Sequence, residues 1–202
     1  MAENKIFAAV IDLETTGLDA RENIPLELGI QLIDRWGEKI GKAESWLIWE
    51  ANHDWSLEMG KGAADQFVGP MHQESGLWND LGIGAGKTTR TRAGLDLELC
   101  LWLKEHGILN GTVPMMGNSI GSLDRPFVLE HFPRFNKALS YRNIDMSSIK
   151  EICKAVNPEL AEKLKPIIGT KEDADHRVLG DIEACITEYR AYLDNFLFCE
   201  ED

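Results

Sequence analysis

His176 and Asp181 stand five residues apart at the head of the chain's last apolar-periodic segment. Three further acids lie upstream in separate segments: Asp12 and Glu14 near the N-terminus, and Asp124 in mid-chain. Four carboxylates and one imidazole delivered by three segments suit a two-metal site that cleaves phosphodiesters. No single piece proves this. D-x-E alone is uninformative, because it occurs at Asp12/Glu14, Asp96/Glu98 and Asp181/Glu183. Of the histidines, only His176 has an Asp five positions downstream.

The elements that must position these groups can be read from patterning. Ile6 to Leu13 reads as a strand buried on both faces. Residues two apart in an extended strand point to the same side, so Asp12 and Glu14 project together from its end. A strand ending at the surface with two solvated acids gives the same pattern. Asp124 follows a short strand, Val113 to Met116, and the run Gly117-Asn-Ser-Ile-Gly121; it opens a helix to Phe132, where an N-cap role fits equally well. Pro126 is tolerated in that helix's first turn. Five positions along a helix turn by about 140°, so His176 cannot stack over Asp181 if both are helical. His176 therefore belongs in the preceding loop or first turn, leaning over the site, with Asp181 on the helix as a ligand. An ordinary helix-start histidine is the plainer alternative. Gly180 lies inside that helix, where glycine costs about 1 kcal/mol relative to alanine. Close approach to the acidic strand is one reason for it; mere tolerance is the other.

The remaining layout is a mixed sheet flanked by helices. Strands are expected at Leu26 to Ile33 and Trp46 to Trp49, with a turn at Trp36-Gly37-Glu38. Residues 52–90 are glycine-rich and irregular beyond a possible short helix. Leu95, Leu99, Trp102 and Leu103 share one face of a helix from Arg92 to His106. Ile144-Asp-Met ends a strand, and Ser147 or Ser148 can cap a helix through Val156. Pro166 to Ala174 reads as a loop. Val178, Ile182, Cys185, Ile186, Tyr189, Leu193 and Phe196 then trace the stripe of the last helix.

The chain's 202 residues, 44% of them hydrophobic, suit one domain with a sizeable core. Its cysteines (Cys100, Cys153, Cys185, Cys199) form no C-x-x-C pair and no zinc spacing, as in a reduced cytoplasmic protein. No run approaches the ~18 apolar residues of a membrane span. A formal charge of −13, from 21 basic and 34 acidic residues, opposes tracking of a long duplex or strand. A very short oligonucleotide gripped at one pocket is compatible with it.

The acids, the imidazole and their local contexts occur in the order of a known pattern. Asp-Leu-Glu-Thr-Thr-Gly-Leu-Asp (12–19), Pro-Leu-Glu-Leu (25–28), Met-His-Gln-Glu-Ser-Gly-Leu (71–77), Gly-Asn-Ser-Ile-Gly (117–121), Asp-Arg-Pro-Phe (124–127), Tyr-Arg-Asn-Ile-Asp-Met-Ser (141–147) and His176 through Tyr192 carry it. The chain resembles the DEDD superfamily of 3′–5′ exonucleases in its His-containing form, and within it the oligoribonucleases. Tyr-Arg-x-x-Asp-x-Ser and Met-His-x-x-Ser-Gly are the more specific of these motifs.

The resemblance implies a ribonuclease H-like (DnaQ-like exonuclease) α/β fold with a mixed five-stranded sheet flanked by helices. It further implies two Mg²⁺ or Mn²⁺ ions held by Asp12, Glu14, Asp124 and Asp181, with His176 as general base. The substrate would be short single-stranded RNA, from dinucleotides to about five-mers, trimmed to 5′-mononucleotides from the 3′ end. Leu18 would wedge against the bases, and His72, Ser119, Arg142 and Ser147 would cap the 5′-phosphate. Tyr141 would come from a second subunit, which implies a homodimer. Two local departures stand out: the run from Asn118 to Asp124 is one residue longer than the family spacing, and Phe67 stands where tryptophan is expected. The glycine-rich segment from 58 to 90 also looks unlike the compact family version.

Three other readings compete. Gly82-Ile-Gly-Ala-Gly-Lys-Thr88 resembles a phosphate-cradling loop, but three residues rather than four precede Gly-Lys, and Leu81 occupies the glycine position. A DNA exonuclease of proofreading or trimming type would use the same acids. A non-catalytic relative would have no reason to keep all of them.

Overall fold

The computed structural model describes residues 5–50, 68–81, 89–108, 111–169 and 176–197. Its first strand, β1 (Ala8–Thr15), is buried throughout except at the half-buried Asp12. β1 pairs antiparallel with β2 (Pro25–Ile33), which is buried at every position. Residues alternate between two cores. Ala9, Ile11 and Leu13 join Leu28, Ile30 and Leu32 on one face; Ala8 and Val10 join Ile33 on the other. By that alternation Asp12 and Glu14 belong to the second face, at the end where the apolar pattern stops.

The sheet continues through β3 (Lys39–Ile48), β4 (Thr89–Arg90), β5 (Met115–Gly117) and β6 (Asn143–Asp145), in the order β4-β3-β2-β1-β5-β6. β1 and β5 run parallel, as do β5 and β6, so their C-terminal ends open on one edge. The sheet has six strands where five were expected. The extra one is the two-residue β4, which pairs Thr89 and Arg90 with Leu47 and Ile48. Two residues carry no periodicity, so only tertiary pairing reveals them. β3 also begins at Lys39, earlier than Trp46, because its outer half is exposed and polar and is held by pairing with β2.

Leu95, Leu99 and Leu103 of α3 (Arg92–Glu105), Phe127 and Val128 of α4 (Asp124–His131) and Phe135 of α5 (Pro133–Ala138) fill the first core. α6 (Met146–Val156), α7 (Pro158–Ile168) and α8 (Val178–Tyr192) cover the second face. Within the irregular segment, α1 (Val68–Glu74) and α2 (Leu77–Leu81) are two short helices, and Leu77, Trp78 and Leu81 pack on Ile24 and Leu26. Gly82–Thr88, Phe67 and most of the expected loop before His176 lie outside the described residues.

Two local expectations change. Asp145, not Ser147 or Ser148, caps α6: its side chain accepts from the Ser147 N–H, one residue before the helix proper. Pro166 does not open a loop; it sits in the last turn of α7, where only one backbone bond is lost, and Gly169 (φ 78°) ends the helix. Past Tyr192 the terminal helix loosens into a π-helical turn, Leu193–Leu197.

The approach of α8 to the sheet is set by a single strand residue. Gly29 is the β2 residue paired with Asp12. A Cβ on Gly29 would lie 2.8 Å from Val178 Cβ and 2.8 Å from Ile182 Cδ1. No side chain fits there, so α8 comes down onto the strands at the register position of Asp12. Gly29→Ala is expected to lower the unfolding free energy by about 1–3 kcal/mol through overpacking. Urea unfolding checks this; an unchanged midpoint would show that α8 is not held this closely.

Candidate active site

Asp12, Glu14 and Asp181 each present a carboxylate oxygen, and these oxygens all lie within 4.8 Å of one another. β1 supplies the first two, and the first turn of α8 supplies the third. Asp124 stands beside them and is buried. It is the first residue of α4 and does not cap that helix; its Oδ1 instead accepts the Leu13 N–H at 3.1 Å, which ties α4 to β1. Its charge bears on Asp12 and Glu14.

Such crowding is unfavourable for bare carboxylates. At an effective dielectric of about 20, like charges 4.8 Å apart repel by about 3 kcal/mol. Three such pairs approach the whole stability of a typical domain, about 5–15 kcal/mol. The acids respond by holding protons. Burial, then the charge of Asp181, pushes Glu14 from its ordinary 4.5 up to about 9. Burial lifts Asp124 to about 8 against the pull of its backbone hydrogen bonds. Asp12 is raised well above the usual range by burial and by Asp124, Glu14 and Asp181. An all-oxygen donor set that cannot ionise alone fits hard divalent cations such as Mg²⁺ or Mn²⁺.

A fifth carboxylate, Glu27, is buried on β2 opposite Glu14. Arg177 grips it with two bonds, Nε to Oε2 at 2.9 Å and Nη2 to Oε1 at 3.1 Å, and reaches Asp80 of α2 at 2.9 Å. Charge-assisted bidentate pairing of this kind is strong. It offsets part of the Glu27 charge and anchors the chain next to His176. Neither Glu27, Arg177 nor Gly29 stands out in the sequence as a site residue. Glu27 and Gly29 share the strand face of Asp12 and Glu14, a period-two signal that could have found them.

His176 precedes α8, outside the helix, with its backbone in the left-handed region (φ 51°). Burial, with smaller contributions from His176 and Arg177, holds His72 below its ordinary 6.5 against the pull of its bond to Thr15. His72 departs from the expected phosphate cap. It is fully buried, and its Nε2 donates to the Thr15 carbonyl at 2.8 Å while Nδ1 lies 3.7 Å from Glu14 Oε2. A ring with no exposed surface has none to offer a phosphate; it holds the end of β1 instead.

The rest of the expected cap falls into two groups. Ser119 and Ser147 come together: the Ser119 N–H donates to Ser147 Oγ at 2.9 Å, and the two hydroxyls are 3.2 Å apart. Each lies two residues beyond the paired Gly117 and Asp145 at the ends of β5 and β6. The extra residue before Asp124 is absorbed in a turn, where the Ser122 and Leu123 N–H groups both donate to the Ser119 carbonyl and Ser119 takes φ 55°. Tyr141 and Arg142 form the second group. The Arg142 guanidinium lies 5.4 Å from the Tyr141 ring centroid, and its Nε donates to the Tyr141 hydroxyl at 3.1 Å. Leu18 and Tyr141 are both strongly exposed, at 77% and 79%.

The chain is 32% identical over 190 residues to an oligoribonuclease of Corynebacterium glutamicum, covering 94% of this chain and 80% of that one. It is 30% identical over 203 residues to an oligoribonuclease of Aromatoleum aromaticum, covering 98% of each. The chain belongs to the oligoribonuclease family. No family model matches it. Among solved structures, exonuclease I superposes with TM-score 0.65 at 16% identity over 93% of this chain. Exonuclease I of E. coli in complex with a dT13 oligonucleotide gives the same TM-score, 0.65. This chain spans only about two fifths (41%) of those chains, so they establish the ribonuclease H-like fold that this oligoribonuclease-family member shares.

Because Glu14 stays protonated when folded, up to about 9, but ionises near 4.5 when unfolded, it stabilises the metal-free fold most below 4.5. That contribution is lost as pH rises towards 9. The melting temperature of chelator-treated protein should therefore fall across this interval, less steeply in Glu14→Gln, and Mn²⁺ should restore it. Identical slopes for both proteins would contradict the assignment.

Proposed function

We propose that this chain is a 3′–5′ exoribonuclease acting on short single-stranded RNA, from dinucleotides to about five-mers, with two divalent cations, Mg²⁺ or Mn²⁺. The observation that carries the reading is the convergence of Asp12, Glu14 and Asp181 within 4.8 Å, with Asp124 alongside, in a chain of the oligoribonuclease family. Cations held by these four carboxylates would polarise the scissile phosphate and its attacking water. His176, on a loop pinned by Arg177, takes the proton of that water; imidazole is suited to this near neutral pH. The Glu14 carboxylate is held in register by pairing with Glu27 and by His72 on the adjacent Thr15 carbonyl.

Substrate length is set at the far end. The Ser119–Ser147 hydroxyl pair and Arg142 offer donors for a 5′-phosphate, and an arginine contact there would be charge-assisted. Leu18 faces the bases. Tyr141, 79% exposed, is available to the site of a second copy, and we propose a homodimer on that ground. The formal charge of −13 disfavours a long strand over the rest of the surface. Free Cys100, Cys153 and Cys185 fit a reducing cytoplasm, and no helix among the described residues is long and apolar enough to cross a membrane.

A series of labelled RNA and DNA from two to twenty nucleotides, with Mn²⁺ and with chelator, tests the reading. Preference for two- to five-mers of RNA is expected; processive trimming of DNA would point to a DNA exonuclease instead. Asp12→Ala and Asp181→Ala should abolish hydrolysis while leaving a folded protein by circular dichroism, and wild-type turnover in either would refute the site. His176→Ala should lower kcat by about 10²–10⁴-fold with little change in substrate affinity. Arg142→Ala should selectively lose 5′-phosphorylated dinucleotides, and an equal loss on every substrate counts against the cap.

A further inference from the structure

The loop between β1 and β2 carries Leu18, and it is closed on itself. The Thr16 N–H donates to the Ile24 carbonyl at 2.9 Å, and the Ile24 N–H donates back to Thr16 Oγ1 at 3.0 Å. Asn23 lies inside the loop. Its Oδ1 accepts the Asp19 N–H at 3.1 Å, and a Cβ on Gly17 would lie 2.6 Å from that same oxygen. Asn23 and the segment from Gly17 to Asp19 therefore move as one piece.

One side chain ties that piece to α4. His131, in the last turn of α4, puts Nε2 3.0 Å from the Asn23 carbonyl and Nδ1 3.1 Å from Arg92 Nη1. The partners fix the proton. A carbonyl only accepts, so Nε2 carries hydrogen; a guanidinium only donates, so Nδ1 is bare. His131 is thus held as one neutral tautomer. Burial and the Arg92 charge push its pKa below 6.5, opposed by the Asn23 and Ala20 carbonyls and by Glu130. Arg92 is itself anchored by Glu50, through its backbone N–H at 2.8 Å and its Nε at 3.1 Å. Phe127, one turn earlier, lies against the imidazole with centroids 5.7 Å apart.

Between the loop and α4 is a cleft of about 540 Å³. Leu18, Asp19 and Arg21 line one wall, and Pro126, Leu129 and Glu130 the other. Along the chain Pro126 is two residues from Asp124 and Leu18 is four from Glu14, so the elements that carry the carboxylates also carry the cleft walls. Its volume lies within the range of about 300–1,000 Å³ typical of small-molecule pockets. Its width depends on how far the loop stands from α4. His131 joins the two walls, through its bond to the Asn23 carbonyl and its contact with the Ala20 carbonyl.

We propose that His131, backed by Arg92, is a positioning residue that latches the Leu18 loop onto α4 and so sets the grip on a substrate base without touching the reacting atoms. The latch rests on the proposed function, in which Leu18 faces the bases. Its loss leaves Asp12, Glu14, Asp124 and Asp181 in place, so it weakens ground-state binding more than turnover.

His131→Ala should raise KM for a 5′-phosphorylated diribonucleotide about tenfold, with kcat within about twofold of wild type and Mn²⁺ affinity unchanged. His131→Gln should restore KM, because a carboxamide can donate to the Asn23 carbonyl and accept from Arg92 while remaining neutral. Hydrogen exchange of the amides at 18–23 should speed up in the Ala variant and not in the Gln variant. If His131→Ala does not fold, Arg92→Leu should show the same split between KM and kcat. Leu18→Ala is the control for the underlying reading. A raised KM in Leu18→Ala with wild-type KM in His131→Ala overturns the latch alone. Wild-type KM in Leu18→Ala overturns the role of the loop, and the latch with it. Parallel loss of kcat, Mn²⁺ binding and melting temperature in both His131 variants would show a merely structural histidine.

Discussion

The carboxylate cluster exists because a helix is allowed to touch a sheet where a side chain is missing. Gly29 sits opposite Asp12 on the neighbouring strand, and Val178 and Ile182 of α8 occupy the space its Cβ would need. Asp181 lies on the same stretch of helix and is thereby brought to Asp12 and Glu14. Removing side-chain bulk at one strand position thus assembles ligands separated by more than 160 residues of chain. The apolar core does the rest. Ile182, Cys185, Ile186 and Tyr189 bury the remainder of α8 against the second face, so burial that stabilises the fold also supports the crowding of charge at its end.

That crowding organises the surroundings. Glu14 held up to about 9 and Asp124 up to about 8 describe a site waiting for positive charge. Glu27 on this face already has a cationic partner, and that partner, Arg177, sits between His176 and the helix carrying Asp181. A single guanidinium offsets part of the Glu27 charge beside Glu14, ties in Asp80, and anchors the chain just after the proposed base. Around this rigid centre lie polar groups placed for recognition rather than chemistry: the serine pair at the ends of β5 and β6, the exposed Tyr141–Arg142 stack, and the latched Leu18 loop.

Much of this architecture is legible in the sequence, for identifiable reasons. β1 and α8 show through their apolar runs, and the period-two and 3.6 rules then put Asp12 with Glu14 and His176 ahead of Asp181. The features that stay hidden depend on contacts between distant segments. β4 has only two residues and exists through pairing with β3. Asp124 looks equally like a helix cap; only the Leu13 N–H shows that its oxygen points at β1. His72 looks like a loop histidine free to meet a phosphate, and its burial comes from α1 folding against the end of β1. Gly180 draws notice because glycine is conspicuous in a helix, whereas Gly29 goes unnoticed inside an apolar strand, although a Cβ there would meet Val178 and Ile182.

For the site to work, its buried acids must exchange protons for cations. Calorimetric titration of Mn²⁺ into chelator-stripped protein at pH about 7.5, in buffers of differing ionisation enthalpy, counts both ions and protons. Two ions bound per chain with net proton release is the predicted result. Binding without proton release, or no binding at all, would contradict it.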